Sequence, residues 1–245
     1  MSPEINPEIL YEDRDLLVCI KPAGCLSEDG PSETCMPKLL AAGYRSAGKP
    51  DFIAGVHRLD RNVGGLMVFS RKKHITGKLT AAIAEHRVTK EYLAVLRGHM
   101  EEKEGILQDL LFRDASKNKT YVVQRIRKGV REASLAYRVL AETDTLTLVR
   151  IRLHTGRTHQ IRAQFSSRQL PLLGDIRYGS KDPGCDCALW SFHLAFPHPV
   201  SGKTVEVIHR PPDAYPWNLF PEDLLTGGDG SVLPGKPEAE CAQKK

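Results

Sequence analysis

Short apolar runs of strand periodicity, joined one after another by tight turns, constrain this chain more than any other feature. Four of them, at residues 88–96, 121–126, 134–140 and 146–153, form a meander whose turns fall at Gly129 and residues 142–144. On the first run Lys90, Tyr92 and Ala94 share one face and Glu91, Leu93 and Val95 the other, because side chains alternate with period two. Residues 16–20 and 66–69 add two buried strands, and residues 189–196 and 204–208 a hairpin closed by the loop 197–203. Helical spacing is confined to residues 36–42, 74–86 and 158–167, the last with Ile161 and Phe165 on its buried side and Thr155 or Thr158 as its cap. Strands so outnumber helices that the pattern predicts an α+β fold with a largely antiparallel sheet.

At 245 residues the chain is long enough to bury one sizeable core. Residues 1–10 read as a short arm, 11–220 as the folded body, and 221–245, rich in Gly, Pro, Glu and Lys without periodicity, as a disordered tail. No apolar run approaches the roughly 20 residues of a membrane span. The start lacks the basic-then-apolar signature of a secretory signal, so a cytoplasmic protein is expected. Six irregularly spaced cysteines predict free thiols rather than a disulfide framework. Cys185-Asp186-Cys187 with His193 and His198 offers metal-ligand types, but without paired Cys-x-x-Cys units the pattern predicts a loop with two free thiols and no metal.

The formal net charge of +5 is unevenly spread. Residues 113–131 hold seven basic residues against one acid, Asp114, and the acidic tail makes the folded body more basic than the whole. Arg150, Arg152, Arg157, Arg162 and Arg168 form a second set with no acid between the first and the last. Such stripes suit phosphate binding, since each neutralised phosphate releases condensed counterions.

Two segments could carry chemistry. In the first, His57-Arg58-Leu59-Asp60-Arg61 precedes Gly64-Gly65 and an apolar strand, and Asp60 is the lone acid between residues 53 and 73. A carboxylate between arginines at a flexible turn can serve as nucleophile or general base beside a polyanion. From the pattern alone, an aspartate that caps a turn or pairs with a local arginine is the commoner outcome. In the second, residues 153–162 run from a strand through Gly156 into a helix start dense in donors, where backbone N–H groups and guanidinium forks converge on an anion. Thr158, His159 and Arg162 fall on one side of that helix. A capped surface helix with solvated arginines and a structural His159 fits the same pattern.

In their order along the chain, Lys21-Pro22-Ala23-Gly24, His57-Arg58-Leu59-Asp60 with Gly65-Leu66, Lys90-Glu91-Tyr92, the stretch from Thr155 to Arg162, and Gly174-Asp175 with Tyr178-Gly179 resemble the motifs of the RluA family of RNA pseudouridine synthases. The resemblance spans nearly everything from Leu10 to Pro212. It implies a single catalytic domain with a long mixed, mostly antiparallel sheet flanked by helices. The implied activity is isomerisation of uridines in structured RNA, ribosomal or transfer, without cofactor or metal.

By that resemblance Asp60 is the essential carboxylate, Arg162 pairs with it and keeps it ionised, and Tyr92 stacks under the uracil and is the candidate for proton transfers. Arg58 fills the gap left when the uridine flips out, a step costing about a few kcal/mol of stacking. Substrate binding would involve His57, Arg58, Leu59, Arg157, Thr158, His159 and Gln160. RNA is the one partner implied, with no membrane and no obligatory protein, so a monomer is expected. The family's usual Thr-Ser before Gly-Leu is here Val63-Gly64, and its Leu-His-Ala is Leu189-Trp190-Ser191. Those departures predict preserved chemistry with an altered rate or substrate, and leave a diverged RNA-binding protein without activity as the alternative.

Overall fold

Near-continuous apolar sequence sets the first half of the sheet. In chain order the computed structural model, which describes residues 7–30, 34–228 and 233–235, forms β1 (Ile9–Glu12), β2 (Leu16–Lys21), α1 (Met36–Ser46), β3 (Ala54–Gly55), β4 (Gly64–Ser70) and α2 (Lys73–Ala84). The second half follows as β5 (Thr89–Arg97), β6 (Glu104–Asp114), β7 (Lys119–Val123), β8 (Val130–Glu142), β9 (Leu146–Leu153), α3 (Gln160–Ser166), β10 (Leu189–Pro197), β11 (Thr204–Ile208) and α4 (Glu222–Leu225). All strands join one sheet in the order β1-β2-β4-β10-β5-β9-β8-β6-β7, with β3 on β4 and β11 on β10. Every pairing is antiparallel except β10 with β4. β10 is thus the seam where the two halves meet.

Alternation then divides the core. Residues of even number in β5 (Tyr92, Ala94, Leu96) pack with Met36 and Leu40 of α1 and Ile161 and Phe165 of α3 on one face. Leu93 and Val95 pack with Trp190, Phe192, Trp217 and Leu225 on the other, and Ile75 and Leu79 of α2 cover the same strands' reverse side nearer β2 and β4. The single mixed, mostly antiparallel sheet with flanking helices is therefore what the sequence pattern and the family resemblance implied.

Four expectations need correction. β6 was not foreseen: only Leu107 and Leu111 of its eleven residues are buried, so its apolar period is too sparse to register. The arm is not loose through residue 10, because Ile9 already pairs with Cys19. In the stretch expected to be disordered, α4 buries Leu225, and Leu233 is fully buried with its carbonyl accepting from Arg152 Nη1 at 3.0 Å; residues 229–232 and 236–245 lie outside the described residues. The helix read over 158–167 begins at Gln160, and its N-cap is His159 with no side-chain cap, while Thr155 Oγ1 instead donates to Gln160 Oε1 at 2.8 Å.

Candidate active site

Asp60 stands on a turn braced from both sides. Its carbonyl accepts from Val63 N at 3.0 Å, closing the turn that leads into β4. Beneath it Lys21 is fully buried, its ammonium donating to the carbonyls of Pro22 (2.9 Å), Cys25 (2.8 Å) and Arg61 (3.0 Å). Burial lowers that ammonium to about 8, against the opposing pull of Cys25 and Asp60. Gly24 N also donates to Arg61 O at 2.8 Å, and Ser27 Oγ exchanges hydrogen bonds with the Leu59 carbonyl (2.7 Å) and amide (3.0 Å). The Lys21–Gly24 turn is thus the floor on which the aspartate rests.

Arg162 comes to Asp60 from α3, whose buried Ile161 and Phe165 fix its orientation. Its Nη1 donates to Asp60 Oδ2 at 2.8 Å, while Nε and Nη2 grip Asp175 Oδ2 and Oδ1 at 2.7 and 2.8 Å. The guanidinium lies 4.9 Å from the centre of the Tyr178 ring. Burial alone would weaken its charge, but the hydrogen bonds and charge of Asp175, with Cys187 and Asp60 adding to them, hold it firmly protonated. Two carboxylates sharing one guanidinium place a fixed positive charge against Asp60 with no freedom to rotate away.

Both meet a cavity of about 320 Å³. All ten residues that the sequence nominated line it: Asp60, Tyr92 and Arg162, with His57, Arg58, Leu59, Arg157, Thr158, His159 and Gln160. Tyr92 is buried on β5, and burial first, then the negative charge of Asp60, pushes its phenol well above the ordinary range against a weaker opposing contact from Ser191. Lys90, two residues along on the same face, also lines the cavity, and burial lowers its ammonium.

The ten are not alike in what they leave free. His57 Nε2 accepts the Val68 N–H at 3.0 Å, standing in for a strand carbonyl, and burial with the nearby Lys90 charge lowers the imidazole to about 3. Leu59 is buried, with its backbone tied to Ser27. The Gln160 amide is taken up by Thr155, Arg157 N and the Ser134 carbonyl, making it a brace of the loop. Arg157 Nε holds the Glu132 carbonyl at 2.9 Å, and the Thr158 carbonyl accepts from Thr120 Oγ1 at 2.9 Å. Arg58, at the rim, pairs with Glu28 at 3.0 Å with both side chains half exposed.

Sequence reasoning assigned no role to Asp175 or Tyr178. Both stand in quoted motifs, yet their partners lie across the fold and leave no local period to read. Elsewhere His193 pairs with Glu91 and Glu206, and His198 with Asp13, so neither histidine is drawn to the Cys185–Cys187 loop. Glu91 and Arg150 form a buried pair at 2.7 Å on the opposite face of the sheet from Tyr92.

The family model of RNA pseudouridylate synthases matches residues 15–167. Ribosomal large subunit pseudouridine synthase D of Zymomonas mobilis is 32% identical over 219 residues, covering 83% of this chain and 68% of that protein. The protein of the same name from Vibrio vulnificus is 35% identical over 229 residues, covering 86% and 68%. Among solved structures, human RNA pseudouridylate synthase domain containing 1 superposes with a TM-score of 0.72 at 25% identity, over 88% of each chain. Human RNA pseudouridylate synthase domain containing 4 gives 0.71 at 20% identity, over 84% of this chain and 88% of that one, a likeness of fold.

Proposed function

This chain belongs to the RNA pseudouridylate synthase family and is an RNA pseudouridine synthase, and from that premise we propose that it isomerises uridines of structured ribosomal or transfer RNA with Asp60 as the essential carboxylate. The observation that carries the reading is the Asp60–Arg162–Asp175 arrangement opening into a cavity that Tyr92 lines. A carboxylate held 2.8 Å from a guanidinium that cannot leave is aimed before substrate arrives.

In this reading the uridine is extruded from its stack into the cavity, Arg58 takes its place in the helix, and Tyr92 supports the uracil. The high phenol pKa makes Tyr92 a protonated platform at the start of the cycle. Relatives named for the ribosomal large subunit make that RNA the first substrate to try. This reading takes the enzyme as a cytoplasmic monomer on its RNA.

The test is incubation of the full chain with isotope-labelled large-subunit ribosomal RNA and transfer RNA, followed by nucleoside analysis. Pseudouridine is expected from one of them. Tight binding without pseudouridine in either RNA would instead favour an RNA-binding protein that has kept the fold.

A further inference from the structure

His159 lies between Asp60 and Tyr178, and its surroundings dictate which ring nitrogen bears the proton. The backbone there is left-handed, with φ at 54°, and the ring lies against Tyr178. Its Nδ1 is 2.9 Å from the Tyr178 hydroxyl, and the rings meet edge to face at 5.7 Å. The same hydroxyl oxygen accepts the Thr120 backbone N–H at 2.8 Å.

One phenol has one proton to give. Two side chains beside the phenol can accept it, His159 Nδ1 and the Thr120 hydroxyl, and the imidazole nitrogen is much the stronger base of the two. A ring that accepts at Nδ1 is neutral and carries its hydrogen on Nε2. That nitrogen is 3.8 Å from Asp60 Oδ2, longer than a hydrogen bond, and His159 lines the cavity. Its N–H is therefore not consumed by the aspartate.

We propose that Tyr178 locks His159 as the Nε2–H tautomer, and that this N–H is a donor to an oxygen of the nucleotide bound beside Asp60. The inference rests on the proposed role of Asp60 and adds a second preorganised polar group to the same site. The charges facing the ring agree with a neutral imidazole: burial disfavours its cation, the carboxylates of Asp60 and Asp175 favour it, and Arg162 and Arg177 oppose it, with the balance lowering its pKa.

Long-range proton–nitrogen correlation spectra of the full chain labelled with ¹⁵N-histidine read the tautomer directly, and His159→Gln identifies the signal. The Nε2–H form is expected near neutral pH, and Tyr178→Phe should lose it. An imidazolium or an Nδ1–H ring in the unsubstituted chain overturns the lock.

Kinetics on labelled large-subunit ribosomal RNA test the donor. His159→Ala should lower kcat about 100-fold with KM within a few-fold, as for removal of one preorganised donor. His159→Gln, whose amide nitrogen reaches the place of Nε2, should recover at least about tenfold of that loss. Equal activity of the two variants at unchanged thermal midpoints, or an Ala variant as active as the parent, overturns the donor role. If the parent makes no pseudouridine on any RNA, the functional reading fails and takes the donor role with it, while the spectrum still reports the tautomer separately.

Discussion

Trp190 lies over Gly64 where β10 and β4 run parallel, so closely that a β-carbon on Gly64 would come within 2.4 Å of Trp190 Cζ3. The two places where this chain leaves its family's usual pattern are therefore one packing exchange: the indole fills the space that a serine at 64 would occupy. Trp190 packs with Leu93, Val95 and Phe192, on the face turned away from the Asp60 cavity, and its Nε1 donates to the His209 carbonyl at 3.0 Å. That placement turns Gly64 and Trp190 away from the site, whereas Val63, the remaining departure, lines the cavity.

The exchange predicts strong coupling between the two positions. Gly64→Ser should destabilise by about 1–3 kcal/mol through overpacking, and Trp190→His by about 3 kcal/mol through lost volume. The double variant should cost clearly less than the two added together, as measured by urea unfolding. Simple additivity would show that the residues do not compete for the same space.

Asp60→Asn should cut turnover on the order of 10³-fold or more while RNA affinity stays within a few-fold. The isosteric amide keeps the shape and a hydrogen-bond acceptor for Arg162 but removes the charge. Product formation and filter binding on the same RNA separate the two effects, and near-normal turnover would remove Asp60 from the chemistry.

Asp175→Asn should lower both stability and turnover, because it strips the buried Arg162 of its two-pronged partner. Breaking a buried pair costs about 3 kcal/mol. Loss of stability without loss of turnover at a temperature where the variant is folded would show that Asp60 alone suffices to orient Arg162.

His57 predicts a signature in acid. An unfolded histidine protonates near about 6.5, whereas burial, reinforced by Lys90, delays His57 in the folded chain to about 3. Between those values the unfolded state holds the extra proton, so this group's contribution is complete above the upper value and is lost as pH falls toward the lower. His57→Gln should therefore show a pH slope of stability shallower by about 1 kcal/mol per unit in that window. Parallel slopes for the two proteins would contradict the assignment.

Charge removal across Arg125, Arg127 and Lys128, exposed between β7 and β8, should weaken RNA binding and flatten its salt dependence by about one unit of slope per lost phosphate contact. The Arg127 guanidinium itself lies 4.7 Å from the centre of the Phe112 ring, which gives that charge a fixed seat. An unchanged salt slope would place the RNA elsewhere.

Much of this was legible beforehand because the signals are local. Period-two alternation placed Tyr92 and Leu93 on opposite faces, and Ile161 and Phe165 marked the buried side of α3. Residue types and motif order brought ten side chains to one cavity. What stayed hidden depends on pairing between distant segments. Nothing near residue 104 announces β6, whose neighbours β7 and β8 supply its context. Asp175 and Tyr178 act through Arg162, His159 and Thr120 across the fold. Leu233 and Pro234 are held by Arg152 and His154, some eighty residues earlier in the chain.

The insertion of β10 between β4 and β5 also dictates an order of events during synthesis. Until residue 197 has left the ribosome, both strands present open edges toward each other, with nothing to bridge them. The strand that closes the sheet is made after both of its neighbours, and it joins partners more than ninety residues away in sequence, a non-local step of the kind that slows folding and exposes edges to misassociation. The cavity, which draws Asp60 from one side of that gap and Tyr92 from the other, comes into being only once β10 has been made.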